Sequence, residues 1–155
     1  MTIGVYGWSA EEFIEALREA DVRVLLDVRR RRGVRGSEYA WANSRRLQSA
    51  LAEAGIAYEH HLELAPTAEL RALVKVEDAR RGVGPRSRTE LGAEFVGRYR
   101  REILDPADLA ALVASLPREG AAALLCVERE PTACHRALIA ERLASEHGVA
   151  VSHLT

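Results

Sequence analysis

The chain has 155 residues, of which 48% are hydrophobic and 29% are charged, and its formal net charge is -1. This length and composition predict one folded domain with a hydrophobic core and argue against a disordered chain. No apolar run approaches the roughly 18 residues of a membrane helix, no secretory signal is visible, and only two cysteines are present. We therefore expect a cytoplasmic protein without a membrane contact or a structural disulfide.

The arginines are concentrated in two segments. Residues 29–46 contain seven arginines and one acid, and residues 80–101 contain seven arginines and two acids. Local charge decides attraction to phosphates, so the segments indicate an anionic partner, a nucleotide or a nucleic acid. The alternative is a merely solvated basic face in a chain whose cations are almost all arginine.

The first half of the chain alternates strand and helix patterns. Strands are predicted over residues 2–6, 22–28 and 56–60. Ser9 and Glu12 have the spacing of a capping box and indicate a helix start between the first two strands. Asn43 or Ser44 caps a second predicted helix, which ends near Gly55 after an arginine-rich loop.

The second half continues the alternation. Helices are predicted over residues 67–79 and 89–104, and residues 80–88 between them are predicted to form a mobile basic loop. Asp105 and Pro106 indicate the start of a further helix that runs to residue 116. Strands follow at 121–127 and 149–154, separated by a helix that Thr132 caps and Gly148 ends.

Strands that alternate with helices imply right-handed crossovers. The strands at 24–26 and 122–125 are wholly apolar, which fits a sheet buried on both faces. The sequence predicts a single three-layer α/β domain over residues 1–155. We expect a mainly parallel sheet of about five strands with helices on both faces.

Residues with reactive or ionisable side chains follow the predicted strands. Ligands bind outside the carboxyl ends of strands in such sheets, and the first turn of the last helix lies at the same edge. The candidate catalytic residues are Cys134, His135, Glu128 and Asp27. The candidate ligand-binding residues are Arg29, Arg136, Cys126, His61, Arg31, Arg32 and Trp8.

The two cysteines are expected to differ. Cys134 near the second position of a helix would have a lowered pKa, because free N–H groups and the helix dipole stabilise a thiolate. Cys126 on an apolar strand is expected to be a buried small hydrophobe. The alternative is a structural Cys134, with Arg136 paired to Glu128.

Other candidates also have structural alternatives. Asp27 can hold its own loop and pair with Arg29, and a lone tryptophan such as Trp8 or Trp41 more often packs in a core than stacks on a base. The spacing Cys-x₇-Cys-His matches no common zinc pattern and lacks the C-x-x-C of redox pairs, so neither a metal nor a cofactor is expected. No nucleophile elbow, P-loop or dinucleotide fingerprint is present.

Three sequence blocks carry a family resemblance: Thr2-Ile3-Gly4, Asp27-Val28-Arg29, and Leu125-Cys126-x-Glu128 followed by Cys134-His135-Arg136. With these blocks the chain resembles the family catalogued as domain of unknown function 488, over nearly its whole length. The resemblance implies a compact α/β domain of bacterial and archaeal origin without an established activity. Members often have His-Ser after the first block, where this chain has Val5-Tyr6.

The leading expectation is an enzyme that acts on a phosphate-bearing substrate, a nucleotide or nucleic acid, at the Cys/Glu/Cys-His-Arg site. The alternative is a non-catalytic module that binds nucleic acid through the two arginine-rich segments. A protein-interaction domain that faces an acidic partner is a third reading. The sequence does not indicate an oligomeric state.

Overall fold

A computed structural model describes residues 1–155, and at its centre lies one sheet of five parallel strands. The order across the sheet is β3–β2–β4–β1–β5. The strands are β1 Thr2–Gly4, β2 Val22–Asp27, β3 Ala57–His60, β4 Ala121–Cys126 and β5 His153–Leu154. The predicted α/β domain with a parallel five-stranded sheet is confirmed.

Helices cover both faces of this sheet. They are α1 Ala10–Glu19, α2 Ser44–Glu53, α3 Ala68–Arg81, α4 Ala93–Tyr99, α5 Leu109–Ser115 and α6 His135–His147, and a π-helical segment, Arg100–Leu104, extends α4. The chain moves one way across the sheet through β1, β2 and β3 and then back through β4 to β5. Right-handed crossovers therefore put α1 and α2 on one face and α3 to α6 on the other. None of these helices combines the length and the apolar character that a membrane crossing requires.

Each face has its own hydrophobic core. Phe13 and Leu17 of α1 pack with Leu25 of β2 in one core. Successive strand residues point to opposite faces, so Leu26 joins the other core with Phe95 and the helices of the second half. This two-sided burial explains why residues 24–26 of β2 and residues 122–125 of β4 are apolar without alternation.

Several predicted helix ends are confirmed. Ser9 caps α1 with both hydrogen bonds of a capping box to Glu12. Thr67 caps α3 through the backbone N–H of Leu70. Gly148 ends α6 in the left-handed conformation, at φ 66°, where a side chain would be strained.

Other predicted boundaries are wrong. α4 begins at Ala93 instead of residue 89. The N-cap of α5 is Asp108, whose carboxylate accepts from the N–H of Ala111, and Pro106 precedes the helix. Asp105 and Asp108 lie three residues apart and can both cap a helix. The helix begins after Asp108, because this start directs Leu109 and Leu112 into the core.

The start of α6 also differs from the prediction. Thr132 lies in a short 3-10 turn, Pro131–Ala133, and its hydroxyl donates to the backbone carbonyl of Thr89. Cys134 is the N-cap, in extended backbone conformation, and His135 and Arg136 are the first two helical residues. The thiol of Cys134 therefore precedes the helix instead of lying within its first turn.

Candidate active site

A cavity of about 340 Å³ opens at the carboxyl edge of the sheet, where β2 and β4 end. Its floor contains Cys126, Glu128, Cys134 and His135. Cys126 ends β4, and the other three come from the turn and the helix start that follow it. The structure thus brings four of the predicted site residues together in one concave place.

The floor is a compact cluster around the His135 ring. Nδ1 of His135 lies 3.7 Å from Sγ of Cys126 and 3.9 Å from Sγ of Cys134. Nε2 lies 3.0 Å from the backbone carbonyl of Val28. A carbonyl can only accept, so Nε2 donates its hydrogen there. In the neutral ring, the Nδ1 lone pair consequently faces both sulfurs.

Glu128 is held at the side of this cluster by a buried ion-pair network. One oxygen accepts from Nη2 of Arg88 at 2.8 Å, and the other lies 3.5 Å from Sγ of Cys126. Nη1 of Arg88 donates to the carboxylate of Asp78 at 2.6 Å, and its Nε donates to the backbone carbonyl of Ala133. Arg88 is therefore held by Asp78 and Ala133, and its Nη2 fixes the position of Glu128.

The environment separates the two thiols as the sequence predicts. Burial raises the pKa of Cys126 well above its ordinary value. Burial also acts to raise the pKa of Cys134, but the hydrogen bond with Cys126 and the charge of His135 outweigh it, so that pKa lies well below the usual range. Proximity to Cys134 in turn raises the pKa of His135 against the effect of burial. The lowered pKa comes from side chains, whereas the sequence argument had assigned it to a position inside the helix.

Glu128 is shifted in the direction that keeps a proton. Burial, followed by the negative charge of Cys134, raises the pKa of Glu128 to about 7, although the Arg88 charge opposes both effects. A carboxyl group with this pKa can accept or donate a proton near neutrality.

The cavity walls are basic. Five cations reach them without any carboxylate within ion-pair distance: Arg30, Arg31, Arg35, Arg71 and Lys75. Burial and the neighbouring charges of Arg31 and Arg30 lower the pKa of Arg71, which indicates mutual repulsion. The only acids that line the cavity, Asp78 and Glu128, both pair with Arg88. An anion bound here would relieve this repulsion.

The second arginine-rich segment has a different character. Six of its seven arginines form ion pairs with carboxylates of this chain, leaving Arg80 outside such pairs. Arg80 and Arg81 belong to α3, and Arg88, which the sequence assigned to a mobile loop, is only 8% exposed. Arg88 is the arginine that this segment contributes to the cavity, and the other paired arginines bind carboxylates elsewhere on the chain.

Asp27 and Arg29 pair with each other, which is the structural role that the sequence analysis gave as the alternative to a functional one. The Asp27 carboxylate accepts from the backbone N–H, Nε and Nη2 of Arg29 and from the hydroxyl of Tyr58. Arg29 also donates to the backbone carbonyl of Ala42 at 3.0 Å. Asp27 is fully buried and does not line the cavity. The pair joins the end of β2 to β3 and to the basic loop.

The Arg136 side chain likewise makes hydrogen bonds within the fold. Its side chain is fully buried and donates to Oγ1 of Thr2 and to the backbone carbonyls of Glu128 and Arg129. It does not reach the cavity and does not pair with the Glu128 carboxylate. Arg136 therefore ties the turn after β4 to β1.

Three further candidates lie outside the cavity. Trp8 packs against the core on the α1 and α2 side. His61 is held between Glu59 and Glu63 at 3.1 and 2.7 Å, and Arg32 lies beside Tyr58. None of the three lines the cavity, whereas Arg31 does.

One comparison, with models of protein families, found a match. The model of the family described as Domain of unknown function DUF488 matches residues 9–143. The chain belongs to this family, because the match spans most of its length. Searches of curated proteins and of solved structures found no match.

Sequence reasoning missed four residues of the cavity, namely Asp78, Arg88, Arg71 and Lys75. All come from α3 or the segment after it, between the predicted strands and away from any strand end. Arg71 and Lys75 lie outside both arginine-rich segments, and the partners of Arg88 are 10 and 40 residues away in sequence, so none of these residues left a local signal.

Proposed function

We propose that this protein is an enzyme that acts on a phosphate-bearing substrate, a nucleotide or nucleic acid. One observation carries the proposal: two thiols, an imidazole and a carboxyl group form the floor of a cavity whose walls hold five cations without carboxylate partners. Arginine and lysine bind phosphate oxygens, and thiol, imidazole and carboxyl groups supply nucleophilic and acid–base chemistry.

In the proposed reaction the cations hold the phosphate and Cys134 attacks phosphorus. Before attack the Cys134 thiol gives its proton to Nδ1 of His135, in line with the lowered pKa of Cys134 and the raised pKa of His135, and the thiolate then forms the sulfur–phosphorus bond. The bond from phosphorus to the leaving oxygen breaks, and this oxygen takes the carboxyl proton of Glu128. Water then attacks phosphorus and gives one proton to the Glu128 carboxylate as the sulfur–phosphorus bond breaks, which releases phosphate and restores the Cys134 thiolate beside protonated His135.

The binding half of the proposal is tested with charge-neutralising variants. We expect Arg31→Ala and Arg71→Ala each to weaken binding of a nucleoside triphosphate by about 10-fold, because a hydrogen bond to a charged group contributes about 1.5 kcal/mol or more. Arg80→Ala is the matched control, since Arg80 is exposed, unpaired and outside the cavity. Isothermal titration calorimetry at two salt concentrations measures the effect. Equal losses in all three variants would contradict a cavity site.

The catalytic half is tested by turnover. A panel of nucleotides and oligonucleotides is assayed for phosphate release with wild type and Cys134→Ser. We expect Cys134→Ser to retain binding and to lose release of phosphate.

A non-catalytic module that binds nucleic acid is the second candidate. It is favoured by the unpaired cations of residues 30–35 and weakened by the internal ion pairs of residues 80–101. Tight, salt-sensitive oligonucleotide binding without turnover of any phosphate ester by wild type would favour this module over the enzyme.

A further inference from the structure

The floor of the cavity has a second property, which concerns the positions of its donor atoms. The two sulfurs and Nδ1 of His135 all lie within 4.8 Å of one another, and the three residues are buried. Oε2 of Glu128 lies 3.5 Å from Sγ of Cys126. Three potential ligand atoms are therefore grouped in a space of atomic size, and the Glu128 carboxylate lies beside one of them.

These separations match the edges of a metal-centred tetrahedron. Zinc bonds of roughly 2.3 Å to sulfur and roughly 2.0 Å to nitrogen or oxygen put a sulfur and a lighter ligand atom roughly 3.5 Å apart. The observed sulfur-to-Nδ1 distances are 3.7 and 3.9 Å, and the sulfur-to-carboxylate distance is 3.5 Å. The two sulfur-to-nitrogen separations therefore exceed this tetrahedral edge by only a few tenths of an ångström.

The surrounding contacts orient the donors as metal sites require. Metal-bound histidines usually donate their other N–H to a carbonyl or carboxylate, and Nε2 of His135 does so to the Val28 carbonyl. This contact leaves the Nδ1 lone pair for a ligand. Arg88 holds the Glu128 carboxylate from the opposite side at 2.8 Å.

The backbone explains how adjacent residues reach one ion. Cys134 is the extended N-cap residue and His135 is the first residue of α6, so the chain turns sharply between them. Adjacent residues within one regular helix or strand point in different directions, whereas this junction between two conformations lets both side chains approach one ion.

We propose that Cys126, Cys134 and His135 bind one thiophilic divalent metal ion, for which Zn²⁺ is the test ion, with a water molecule beside Glu128 as the fourth ligand. Two thiolates and one imidazole are a donor set that favours zinc over magnesium or calcium. Metal binding goes beyond the proposed reaction and does not depend on it. It has one consequence for that reaction, because a metal-bound Cys134 sulfur is no longer a free nucleophile and Zn²⁺ would therefore inhibit turnover.

The experiment uses the full chain, stripped of metal by a chelator under a non-thiol reductant. We expect Zn²⁺ to bind with a stoichiometry of one per chain, measured by mass spectrometry of metals after gel filtration. We expect Co²⁺ to give the intense visible absorption of a tetrahedral thiolate site. We expect Zn²⁺ affinity to weaken by about 100-fold in each of Cys126→Ser, Cys134→Ser and His135→Ala. Loss of a ligand should cost at least as much as loss of a group that only hydrogen-bonds to a ligand, which costs up to about 100-fold.

His61→Ala is the matched control, because His61 lies outside the cluster. Circular dichroism establishes that each variant is folded. Zn²⁺ binding well below one per chain in reduced wild type would overturn the proposal, as would an unchanged affinity in Cys126→Ser or an equal loss in His61→Ala. Formation of a Cys126–Cys134 disulfide in place of metal uptake under the same reductant would also overturn it.

Metal uptake is measured without substrate, so the metal site stands even if no phosphate ester is turned over. Conversely, a metal-free wild type that releases phosphate supports the proposed function even if Zn²⁺ does not bind. Turnover that requires Zn²⁺ would confirm the metal site and overturn the nucleophilic role of Cys134.

Discussion

Single side chains at the cavity edge divide into those that face it and those that hold the chain around it. Arg136 belongs to the second group, because all three of its hydrogen bonds go to β1 or to the turn after β4. Glu128, by contrast, has its carboxylate at the cavity. Residue types that look equally functional in the sequence thus have different tasks.

Arg136→Ala tests this division. We expect a loss of about 3 kcal/mol in the free energy of unfolding, because two buried carbonyls lose a charged donor. Urea denaturation measures it. Arg23→Ala is the control, since Arg23 is 59% exposed and pairs only with Asp21, and its loss should stay within about 0.5 kcal/mol. A stable Arg136→Ala protein with lost phosphate binding would contradict the structural role.

Asp27→Asn tests the buried pair beneath the basic loop. One carboxylate of Asp27 serves both Arg29 and Tyr58, so its neutralisation leaves a buried guanidinium without its counter-charge. We expect a loss of about 3–5 kcal/mol, measured by urea denaturation. Tyr58→Phe removes one hydrogen bond and is expected to cost only about 1 kcal/mol. Similar losses in both variants would argue against the ion pair as the main contribution.

The ends of the helices depend on local signals such as capping residues. Where two such signals compete, tertiary packing decides between them. The start of α5 is an example, because Asp105 and Asp108 are both plausible caps in sequence. The carboxylate of Asp108 makes the capping bond to Ala111, whereas Asp105 pairs with Arg142 at the surface.

The two aspartates form a matched pair for experiment. Asp108→Ala is expected to reduce the free energy of unfolding by about 1 kcal/mol through loss of the cap. Asp105→Ala should reduce it by about 0.5 kcal/mol or less, as for other exposed ion pairs. Thermal and urea denaturation give both values. The reverse order would show that the helix starts at Pro106 after all.

The junction of β1 and β4 depends on a glycine. A Cβ at Gly4 would lie 1.9 Å from the backbone carbonyl oxygen of Glu128, so Gly4→Ala must push the turn after β4 away from the sheet. We expect severe destabilisation, of more than about 3 kcal/mol. Gly97→Ala is the opposite control, because that helical site has nothing within 4 Å and alanine should stabilise the helix by up to about 1 kcal/mol. Chemical denaturation compares the two.

At the scale of the whole molecule, the proposed binding in the cavity predicts a gain in stability. A ligand at 100 times its dissociation constant adds about 2.7 kcal/mol to the free energy of unfolding, which corresponds to a rise of roughly 5–10 °C in melting temperature for a chain of this size. We expect a nucleoside triphosphate to produce this rise and the free nucleoside not to. In the Arg31→Ala, Arg71→Ala double variant the rise should vanish, and a rise that persists would place the anion elsewhere.

The sequence by itself determined the order of the elements, the parallel sheet and the edge at which the site lies. These features follow from local patterns: apolar runs such as residues 122–125, capping residues such as Ser9, and the rule that parallel strands end on one side. The same logic placed Cys126, Glu128, Cys134 and His135 near one another, since all four follow a single strand.

Only the tertiary structure decided which of these groups act together. The pairing of Arg88 with Asp78 and Glu128, the burial of Arg136 and the convergence of two sulfurs on one imidazole all join segments whose relative positions depend on packing. Hydrogen-bond geometry is specific to tenths of an ångström, whereas hydrophobic pattern fixes a face and an approximate position. For this reason the sequence predicts where the site lies, and the folded chain determines its chemistry.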